Sequence, residues 1–498
     1  MFRLSMIRTV RPLASAVIVL LAGCAAGPDF RPPAPPQATG YTSRPPTATV
    51  AAPGVTGGAA QRFDPGADIP GDWWVLFHSP ALNALVEEAL RNNHDLKAAQ
   101  AALKAAQEAV LAQRGSFLPG VSAGFDANRQ RQPGSLAPVP SNNAFQYSLF
   151  TPQLDISWAP DLFGLQRRTH ESLAAQAEAT RFQMLAAWTT LGSNVVVTAV
   201  QLASLQEQVD ATKQAIDAER NLLGILRLRL AKGDASKLDV AAQQSQLAQA
   251  EAALPPLAKQ VEQTRHALAV LVGRFPVDAP AQPFALADLH LPQDLPLSLP
   301  SELVAQRPDV RVARANLHAA SAAIGIAAAE RLPQIELTAN AGSTALAISK
   351  VFDSGTGFWG IAASLAAPIF EGGALRHQER AASAAYVEAA EQYRSTVLGA
   401  FRDVADTLVA LQQDARALQT AVHAEAAART TLDLSQRQLR DGAIGAFELL
   451  NAEQAYQQAR IARVAATANR FADTAALYQA LGGGWWHHPQ LAEGTHGR

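Results

Sequence analysis

The hydrophobic and polar positions of this chain follow one order of patterns twice. Each half begins with an amphipathic helical pattern, continues with two segments of alternating apolar and polar residues, and ends with a long helical pattern and a shorter one. Leu118-Pro119 returns 214 positions later as Leu332-Pro333. Val272-Gly273 returns 209 positions later as Leu481-Gly482. Because regular self-similarity marks a repeated structural unit, the sequence predicts a tandem duplication.

The two longest helical patterns, about 167–231 and 374–440, contain no proline. About 65 residues at 1.5 Å each form a rod of roughly 95 Å. The shorter patterns that follow have heptad seams, which favour coiled-coil pairing. The seams are Leu247, Ala250, Leu254, Leu257, Val261, Thr264, Leu268 and Leu271, then Ala452, Ala455, Ala459, Ala462, Ala466 and Asn469. Pro255-Pro256 is expected to kink or break the first of these helices.

Each pair of alternating segments is preceded by a helix, predicted at about 80–114 and 308–331. Ser79-Pro80 provides an N-cap and a first-turn proline for the first helix. The segments at 121–128, 153–158, 335–341 and 359–365 place apolar residues at every second position, which is typical of strands with one apolar and one polar face. The stretches 129–144 and 343–357 between them are predicted hairpin loops.

The N-terminus has the pattern of a secretory signal. Three arginines precede a short apolar run at 13–21, which is too short to span a bilayer. The run ends Leu21-Ala22-Gly23-Cys24, which resembles the lipobox of bacterial lipoproteins and predicts a lipid on Cys24, the only cysteine. Ala25 follows where an aspartate would resemble an inner-membrane retention signal, so the outer membrane is favoured. Residues 25–70 are rich in proline, glycine, alanine and threonine, as expected of an extended tether.

Four amphipathic strands on a lipid-anchored chain suggest an outer-membrane barrel formed by several chains. In lipid a sheet must close on itself, and the smallest membrane barrels use about eight strands. Two chains would provide eight strands, with an interior typically filled by side chains; three would provide twelve and an open lumen. The alternative is a soluble hairpin sandwich on a helical bundle, which would leave the long rods unsupported. The sequence contains no uninterrupted apolar run of about 20 residues, so no membrane-spanning helix is predicted.

Composition excludes several classes of function. The chain has 48% apolar and 17% charged residues, so wholesale disorder is excluded, and a pI near 6.6 provides no basic surface for nucleic acid. One cysteine excludes a disulfide scaffold and a cysteine-cluster metal site. No catalytic motif is present, so we expect neither an enzyme nor a cofactor. His487-His488 is interpreted as a solvated pair in the tail, because no third metal ligand accompanies it.

Several motifs together resemble the TolC-like outer-membrane channels of tripartite efflux pumps, in their lipoprotein branch. The resemblance covers nearly all of the chain after Cys24, and its most specific part is 299–303 followed by Arg307-Pro308-Asp309-Val310. The other matching motifs are Gly27-Pro28-Asp29-Phe30, Trp73-Trp74, Asn93-His94-Asp95-Leu96, Asp161-Leu162-Phe163-Gly164, and Pro368-Ile369-Phe370-Glu371-Gly372-Gly373.

The resemblance implies a mixed α and β membrane protein: a homotrimer with a twelve-stranded barrel continued by an α-helical tunnel into the periplasm. It implies a periplasmic adaptor and an inner-membrane RND-type pump as partners. The expected domains are a signal peptide (1–23), a lipidated tether (24–70), a first repeat (71–273), an equatorial connector (274–300), a second repeat (301–482) and a flexible tail (483–498).

The turns between the long and short helices are the candidate functional site. Gly233 and Gly442 are typical helix-ending residues, and acidic residues favour the helix starts that follow. The resemblance implies that these turns form the closed periplasmic tip, with Leu238, Asp239, Phe447, Glu448 and Asn451 at the gate. Two residues depart from the family pattern. Asn451 replaces a common gate aspartate, and Ile444 replaces an arginine that locks neighbouring helices in the best-known relative.

The leading hypothesis is therefore a passive outer-membrane exit duct for drugs or other small molecules. One alternative is an exit duct for type I protein secretion, which uses the same architecture with another inner-membrane partner. A second is a non-transporting lipoprotein that spaces the envelope layers. An envelope enzyme is disfavoured by the missing catalytic motifs.

Overall fold

A computed structural model describes residues 25–34, 36–38, 40–131, 146–280, 284–488 and 491. Within these residues the chain forms eight α-helices and six β-strands. The helices are α1 (Pro80–Asn92), α2 (His94–Gly115), α3 (Leu165–Lys232), α4 (Lys237–Leu271), α5 (Pro300–Gln306), α6 (Pro308–Ala329), α7 (Ala374–Arg440) and α8 (Ala446–Ala480). The strands are β1 (Arg62–Pro65), β2 (Gly120–Arg131), β3 (Gln146–Trp158), β4 (Asp294–Leu297), β5 (Gln334–Ser343) and β6 (Gly357–Ala366).

The order of these elements confirms the duplication. Two helices, two strands, a long helix and a shorter helix occur in each half: α1, α2, β2, β3, α3 and α4, then α5, α6, β5, β6, α7 and α8. The long helices α3 and α7 have 68 and 67 residues, close to the predicted rods. The chain divides into two compact units. Unit 1 contains Leu103–Thr180, Ala313–Tyr393 and the N-terminal residues to Pro33, and unit 2 contains the rest.

The helix predicted at about 80–114 is in fact two helices, because it is interrupted at Asn93. The Asn93 backbone is extended, and its side-chain oxygen accepts a hydrogen bond from the N–H of Leu96 at 3.0 Å. The amide nitrogen of the same side chain donates to the carbonyl of Leu271, the last residue of α4, at 3.1 Å. An asparagine side chain can replace helical hydrogen bonds in this way, so the prediction of one helix was wrong.

The second copy has its break at the equivalent position. Arg307, 214 positions after Asn93, separates α5 from α6, since the following Pro308 disfavours a helical conformation in the residue before it. The guanidinium of Arg307 donates to the carbonyl of Ala480, the last residue of α8, at 3.0 Å. The duplication therefore preserves both the break and its contact with the end of the returning helix.

Unit 1 contains a four-stranded antiparallel sheet in the order β2-β3-β5-β6. The register confirms the predicted alternation: Ile156 lies opposite Val121 on one side and Ala339 on the other, while Asp155 lies opposite Ser122 and Asn340. The strands extend beyond their predicted bounds, most of all β3, which begins at Gln146. The predicted loop at 129–144 lies almost wholly outside the described residues.

One face of this sheet is apolar and exposed. Trp359 and Ile361 of β6 are 77% and 78% exposed, and Phe125, Leu154 and Leu365 are also exposed. Each of these residues belongs to the apolar set of its strand, whereas a water-soluble sheet normally buries that set. Within the described residues, β2 and β6 each pair with only one strand, so both edges of the sheet are open.

Unit 2 contains an aromatic core at the ends of its helices. Trp73 stacks on Tyr478 with 5.0 Å between ring centroids, and Phe77 packs against Phe471 at 6.1 Å. The short parallel pair β1 and β4 lies in the same unit and joins residues of the predicted tether and the connector. The tether therefore pairs with a strand, although its composition predicted an extended segment without a core.

The C-terminal tail is ordered further than predicted. Residues 483–488 are described, and Trp485 is buried against Phe182 with ring centroids 5.8 Å apart. The flexible tail expected from residue 483 is therefore wrong as far as His488. A pair of large aromatic side chains gains enough from burial to order such a segment.

The two returning helices differ from the predicted patterns. In α4 the predicted seam is the less exposed stripe, and the helix continues through Pro255-Pro256. The expectation of a break is therefore wrong. Each proline removes one helical hydrogen bond, but the freed carbonyls belong to the exposed residues Glu251 and Ala252, where water can satisfy them.

In α8 the predicted stripe is wrong, since Ala455, Ala462 and Asn469 are exposed. The less exposed positions of α8 also follow heptad steps, but in another register. They are Ala446, Leu450, Glu453, Gln457, Arg460, Val464, Thr467, Phe471, Thr474 and Tyr478. Because Glu453, Gln457 and Arg460 in the middle of this stripe are polar, the apolar periodicity of the sequence does not reveal it.

One stretch of α3 is long and apolar enough to cross a membrane by length and composition alone. Most of that stretch is buried in the structure. A core helix passes the same test, and α3 contributes many core side chains of unit 2, among them Leu185, Val195 and Val200. We therefore interpret it as a core helix.

Candidate functional site at the helical turns

The first turn, between α3 and α4, reverses at Gly233. Gly233 has a φ of 83°, and the N–H of Asp234 donates to the carbonyl of Arg229 at 2.9 Å. This is the left-handed helix ending for which glycine carries no steric penalty. The helix α4 then begins at once. The turn thus places Leu238 and Asp239 in the first turn of a helix, as its sequence predicted.

Ser236 and Asp239 form a reciprocal cap at the start of α4. The N–H of Asp239 donates to the Ser236 hydroxyl at 3.1 Å, and the N–H of Ser236 donates to the Asp239 carboxylate at 2.9 Å. The Ser236 hydroxyl also donates to that carboxylate at 2.7 Å. These donors hold the pKa of Asp239 below its usual value. Asp239 therefore keeps its negative charge as the pH falls through the range where an ordinary aspartate begins to bind protons.

The second turn has the same backbone reversal and a weaker cap. Gly442 has a φ of 73°, and the N–H of Ala443 donates to the carbonyl of Gln438 at 2.8 Å. Gly445 is the N-cap of α8 and has no side chain to accept a hydrogen bond. It occupies the repeat position of Ser236, 209 residues on. The hydroxyl half of the cap is consequently missing from the second turn.

A small apolar cluster lies directly inside the two turns. Its buried members come from α3 and α8, and partly buried side chains of α4 and α7 pack against them. The buried residues are Leu222, Leu226, Ala446, Leu449 and Leu450, and the others are Val240, Ala242, Leu432 and Leu439. We call these nine residues the tip cluster. It joins the hairpin of the first repeat to the hairpin of the second.

The candidate gate residues lie outside the tip cluster. Leu238 is 76% exposed and Phe447 is 64% exposed. Glu448 and Asn451 are also exposed and share one face of α8 with Phe447, while Leu449 and Leu450 face the cluster. The structure therefore leaves these side chains free to meet another surface.

Sequence reasoning missed three residues next to the tip cluster. Gln243 of α4 is fully buried, and its amide donates to the main-chain carbonyl of Glu219 at 3.0 Å and to the Glu219 carboxylate. Glu219 of α3 is in turn hydrogen-bonded through its carboxyl group to the carboxyl group of Glu453 in α8. The sequence contained no signal for this polar triad, because Glu453 lies on a less exposed stripe of α8 that its apolar periodicity did not reveal.

The anchor motif near the N-terminus is docked within unit 1. Gly27 has a φ of 84°, and a Cβ there would overlap the Cα of Gly325 in α6. The buried Arg168 donates to the carbonyl of Ala26 at 3.0 Å and to the carboxylate of Asp29 at 2.8 Å. These contacts explain the Gly27-Pro28-Asp29 sequence physically. Cys24, the predicted lipid attachment site, lies outside the described residues.

The sequence suggested that the tail histidines are solvated, but both lie next to acidic side chains. His487 Nε2 lies 2.6 Å from a carboxylate oxygen of Asp68, and His488 Nε2 lies 3.3 Å from one of Asp72. Trp486 donates to the other oxygen of Asp68 at 3.1 Å. Within the described part of the chain, no group of three or more metal-ligating side chains is present. The histidines therefore hold the tail against Asp68 of the predicted tether and Asp72 at the start of the predicted first repeat.

Comparison with known proteins identifies the class. The outer membrane efflux protein family matches residues 85–274 and 299–483. The pyoverdine export outer membrane protein OpmQ of Pseudomonas putida is 33% identical over 416 residues, 83% of this chain and 88% of that protein. The toluene efflux pump outer membrane protein TtgF of Pseudomonas putida is 30% identical over 484 residues, 95% of this chain and 96% of that protein. The outer-membrane channel OprN has a TM-score of 0.80 at 27% identity, over 93% of this chain and all of that chain.

The duplicated halves, the sheet with an exposed apolar face and the two long helices define an outer-membrane channel that extends into the periplasm. The chain belongs to the outer membrane efflux protein family. It is therefore the outer-membrane component of an efflux pump, and its family consists of channels and not of enzymes. The resemblance expected from the sequence motifs is confirmed.

Proposed function

We propose that three copies of this chain close one twelve-stranded barrel and continue it as a helical tube into the periplasm. The observation that carries this proposal is the four-stranded sheet of unit 1, which has an exposed apolar face and two open edges. Backbone groups at an open edge cannot be left unpaired in lipid. Further copies of the same sheet are the simplest partners for both edges, and twelve strands leave an open lumen where eight would not.

The proposed cargo is small molecules. Two relatives with high coverage are named for the export of pyoverdine and of toluene, both of which are small molecules. These names favour small-molecule efflux over type I protein secretion. In this proposal the other members of the pump are a periplasmic adaptor and an inner-membrane RND-type pump, and the channel itself is passive.

The turns are the proposed gate of the channel. Leu238, Asp239, Phe447, Glu448 and Asn451 lie in or beside the first turns of α4 and α8. In a trimer Asp239 and Glu448 would contribute six carboxylates to the narrow end, which favours cations over anions. Phe447 and Leu238 are the proposed hydrophobic obstruction. With Asn451 and Ile444 in place of charged residues, this closure depends less on ion pairs.

The barrel is tested by placing a charge on each face of β6 in turn. Ile361→Arg places a cation on the apolar face, where it should cost about 2–4 kcal/mol at the middle of a bilayer. We expect loss of membrane insertion and of the trimer in native mass spectrometry. The matched variant Ser364→Arg lies on the opposite face of the same strand and should insert, assemble and conduct in planar bilayers.

A wild-type protein that remains monomeric in mild detergent would exclude the trimer. Equal insertion of both arginine variants would show that the apolar face does not meet lipid. A trimer that forms no discrete channels in planar bilayers would instead support the structural-spacer alternative.

Cys24 is the proposed site of a lipid anchor. Cys24→Ser should abolish acyl labelling and leave the barrel able to assemble, since the sheet does not depend on the lipid. Several acyl chains would hold the N-terminus in the membrane where a single chain would bind only reversibly. The measurement is mass spectrometry of the mature N-terminal peptide, and an unmodified cysteine in the wild-type protein would refute the assignment.

A further inference from the structure

We infer that Glu219, Gln243 and Glu453 form a proton-dependent latch that holds the two helical hairpins together just inside the turns. The three side chains come from α3, α4 and α8, so they connect the hairpin of the first repeat to the returning helix of the second. The part of the inference that concerns passage through the channel also rests on the proposed gate at the turns.

The geometry of the triad requires a proton. Gln243 is fully buried, and its two N–H groups both point at Glu219, so the amide fixes the position of the Glu219 carboxylate. The carboxyl group of Glu453 is in hydrogen-bond contact with that of Glu219. Two ionised carboxylates have no hydrogen to share and repel each other at this distance. One of the two must therefore be protonated while the contact exists.

In the described part of the chain, the arginines near the triad on α3 and α8 are engaged with other groups. On α3, Arg220 is turned to an exposed cluster with Asp217 and Glu251, at 3.5 Å and 2.7 Å. On α8, Arg460 lies seven residues beyond Glu453 and donates to Gln214 at 2.8 Å. On α7, Leu432 and Leu439 pack against the neighbouring tip cluster, and the charged residues Arg429, Asp433 and Arg437 are exposed. The proton is thus the positive charge that the pair has available.

The remaining oxygens of the triad are consistent with this assignment. In the described structure one carboxylate oxygen of Glu453 and the side-chain oxygen of Gln243 are buried and accept no hydrogen bond. Buried acceptors without donors carry a cost of about 1–3 kcal/mol each. When the proton leaves, Gln243 still donates to Glu219, but the contact between the two carboxyl groups loses its donor.

Burial and the neighbouring carboxyl raise the pKa of Glu453 to about 8, and burial raises the pKa of Glu219 as well. A raised pKa in the closed latch means that closure binds a proton which the open form releases. Closure is favoured fully below the ordinary glutamate pKa, and its advantage is lost as the pH rises toward 8. The open fraction should rise up to about tenfold per pH unit within that window and then level off.

The test is hydrogen–deuterium exchange of the full-length, detergent-solubilised protein at pH values from 5 to 9, corrected for the intrinsic exchange rate. Protection of the amides at 215–223 and 449–457 should fall as the pH rises to about 8. In Glu453→Gln it should stay high at every pH, since the glutamine amide donates to Glu219 without needing a proton. If Glu453→Gln folds poorly, Glu219→Gln replaces it and should likewise keep the protection of these amides high at every pH.

Asp473→Asn is the matched control. Asp473 also lies on α8 and also makes a carboxyl–carboxyl hydrogen bond, with Asp414 of α7, twenty residues from Glu453. This variant should keep the pH response at the turns. Wild-type protection that does not change with pH, or an unchanged slope in Glu453→Gln, would overturn the latch.

Channel recordings on the same proteins separate the latch from the gate. If the gate lies at the turns, wild-type conductance should rise with pH and Glu453→Gln should remove that rise. A pH-dependent loss of protection with constant conductance would confirm the latch and place the gate elsewhere.

Discussion

Replacing Arg307 with alanine is expected to lower the free energy of unfolding by about 3 kcal/mol, near the lower end of the cost of breaking a buried ion pair. Arg307 is buried and forms a two-pronged contact with Asp309, at 3.0 Å and 2.7 Å. It also binds Asp403 at 3.0 Å and donates to the carbonyl of Ala480. Because both aspartates are partly exposed, water can hydrate them after the substitution, which limits the loss.

Arg402→Ala is the control, because Arg402 binds the same Asp403 at 2.9 Å but is 72% exposed. Its loss should be within about 0.5 kcal/mol. Arg307→Lys should fall between the two, since lysine keeps the charge but not the planar fork. The measurement is the midpoint of urea denaturation followed by far-ultraviolet circular dichroism. Equal midpoints for Arg307→Ala and Arg402→Ala would contradict the structural role of Arg307.

Replacing Phe447 with alanine is expected to raise single-channel conductance several-fold and to sensitise cells to large antibiotics. Phe447 is exposed and lies outside the tip cluster, so its removal should leave folding intact. In a trimer three aromatic rings would leave the constriction together, and hydrophobic constrictions restrict flow by excluding water. Single-channel recording in planar bilayers measures the effect. The control is Leu398→Ala, which removes a similarly exposed apolar side chain from α7, and it should conduct like the wild type.

The charge of the same constriction is tested by combining Asp239→Asn with Glu448→Gln. Removal of six carboxylates should shift the reversal potential in a salt gradient toward lower cation preference. The cap at Ser236 should weaken by about 1 kcal/mol or less, because asparagine still accepts its hydrogen bonds. If neither conductance nor reversal potential changes in these variants, the constriction lies away from the turns.

The local patterns of the chain were sufficient for most of its elements. The alternation at 121–128 and 359–365 fixed which strand positions share a face, because side chains of a strand alternate regardless of what they pack against. The heptad steps around Leu254 and Val261 indicated the less exposed stripe of α4, since apolar residues dominate it. The turn at Gly233 followed from the need for a left-handed residue at the end of a helix.

Where a structural feature depends on a partner far away in the sequence, the local pattern gave a wrong prediction or none. The break at Asn93 depends on a carbonyl 178 residues away, at Leu271. The tail at Trp485 is ordered by Phe182 and by the carbonyl of Gln306, to which its indole donates at 2.8 Å. Neither partner can be read from the residues beside it, so local propensity favoured a continuous helix and a free tail.

The sequence by itself thus determined the duplication, the long helices and the two-faced strands, because each of these is a periodic property of neighbouring residues. Tertiary structure alone decided which stripe of α8 is buried and that Glu219, Gln243 and Glu453 meet. The physical reason is that a polar side chain in a heptad seam looks solvent-exposed in the sequence. It becomes part of a core only when a second helix supplies the hydrogen-bonding partner that offsets its desolvation.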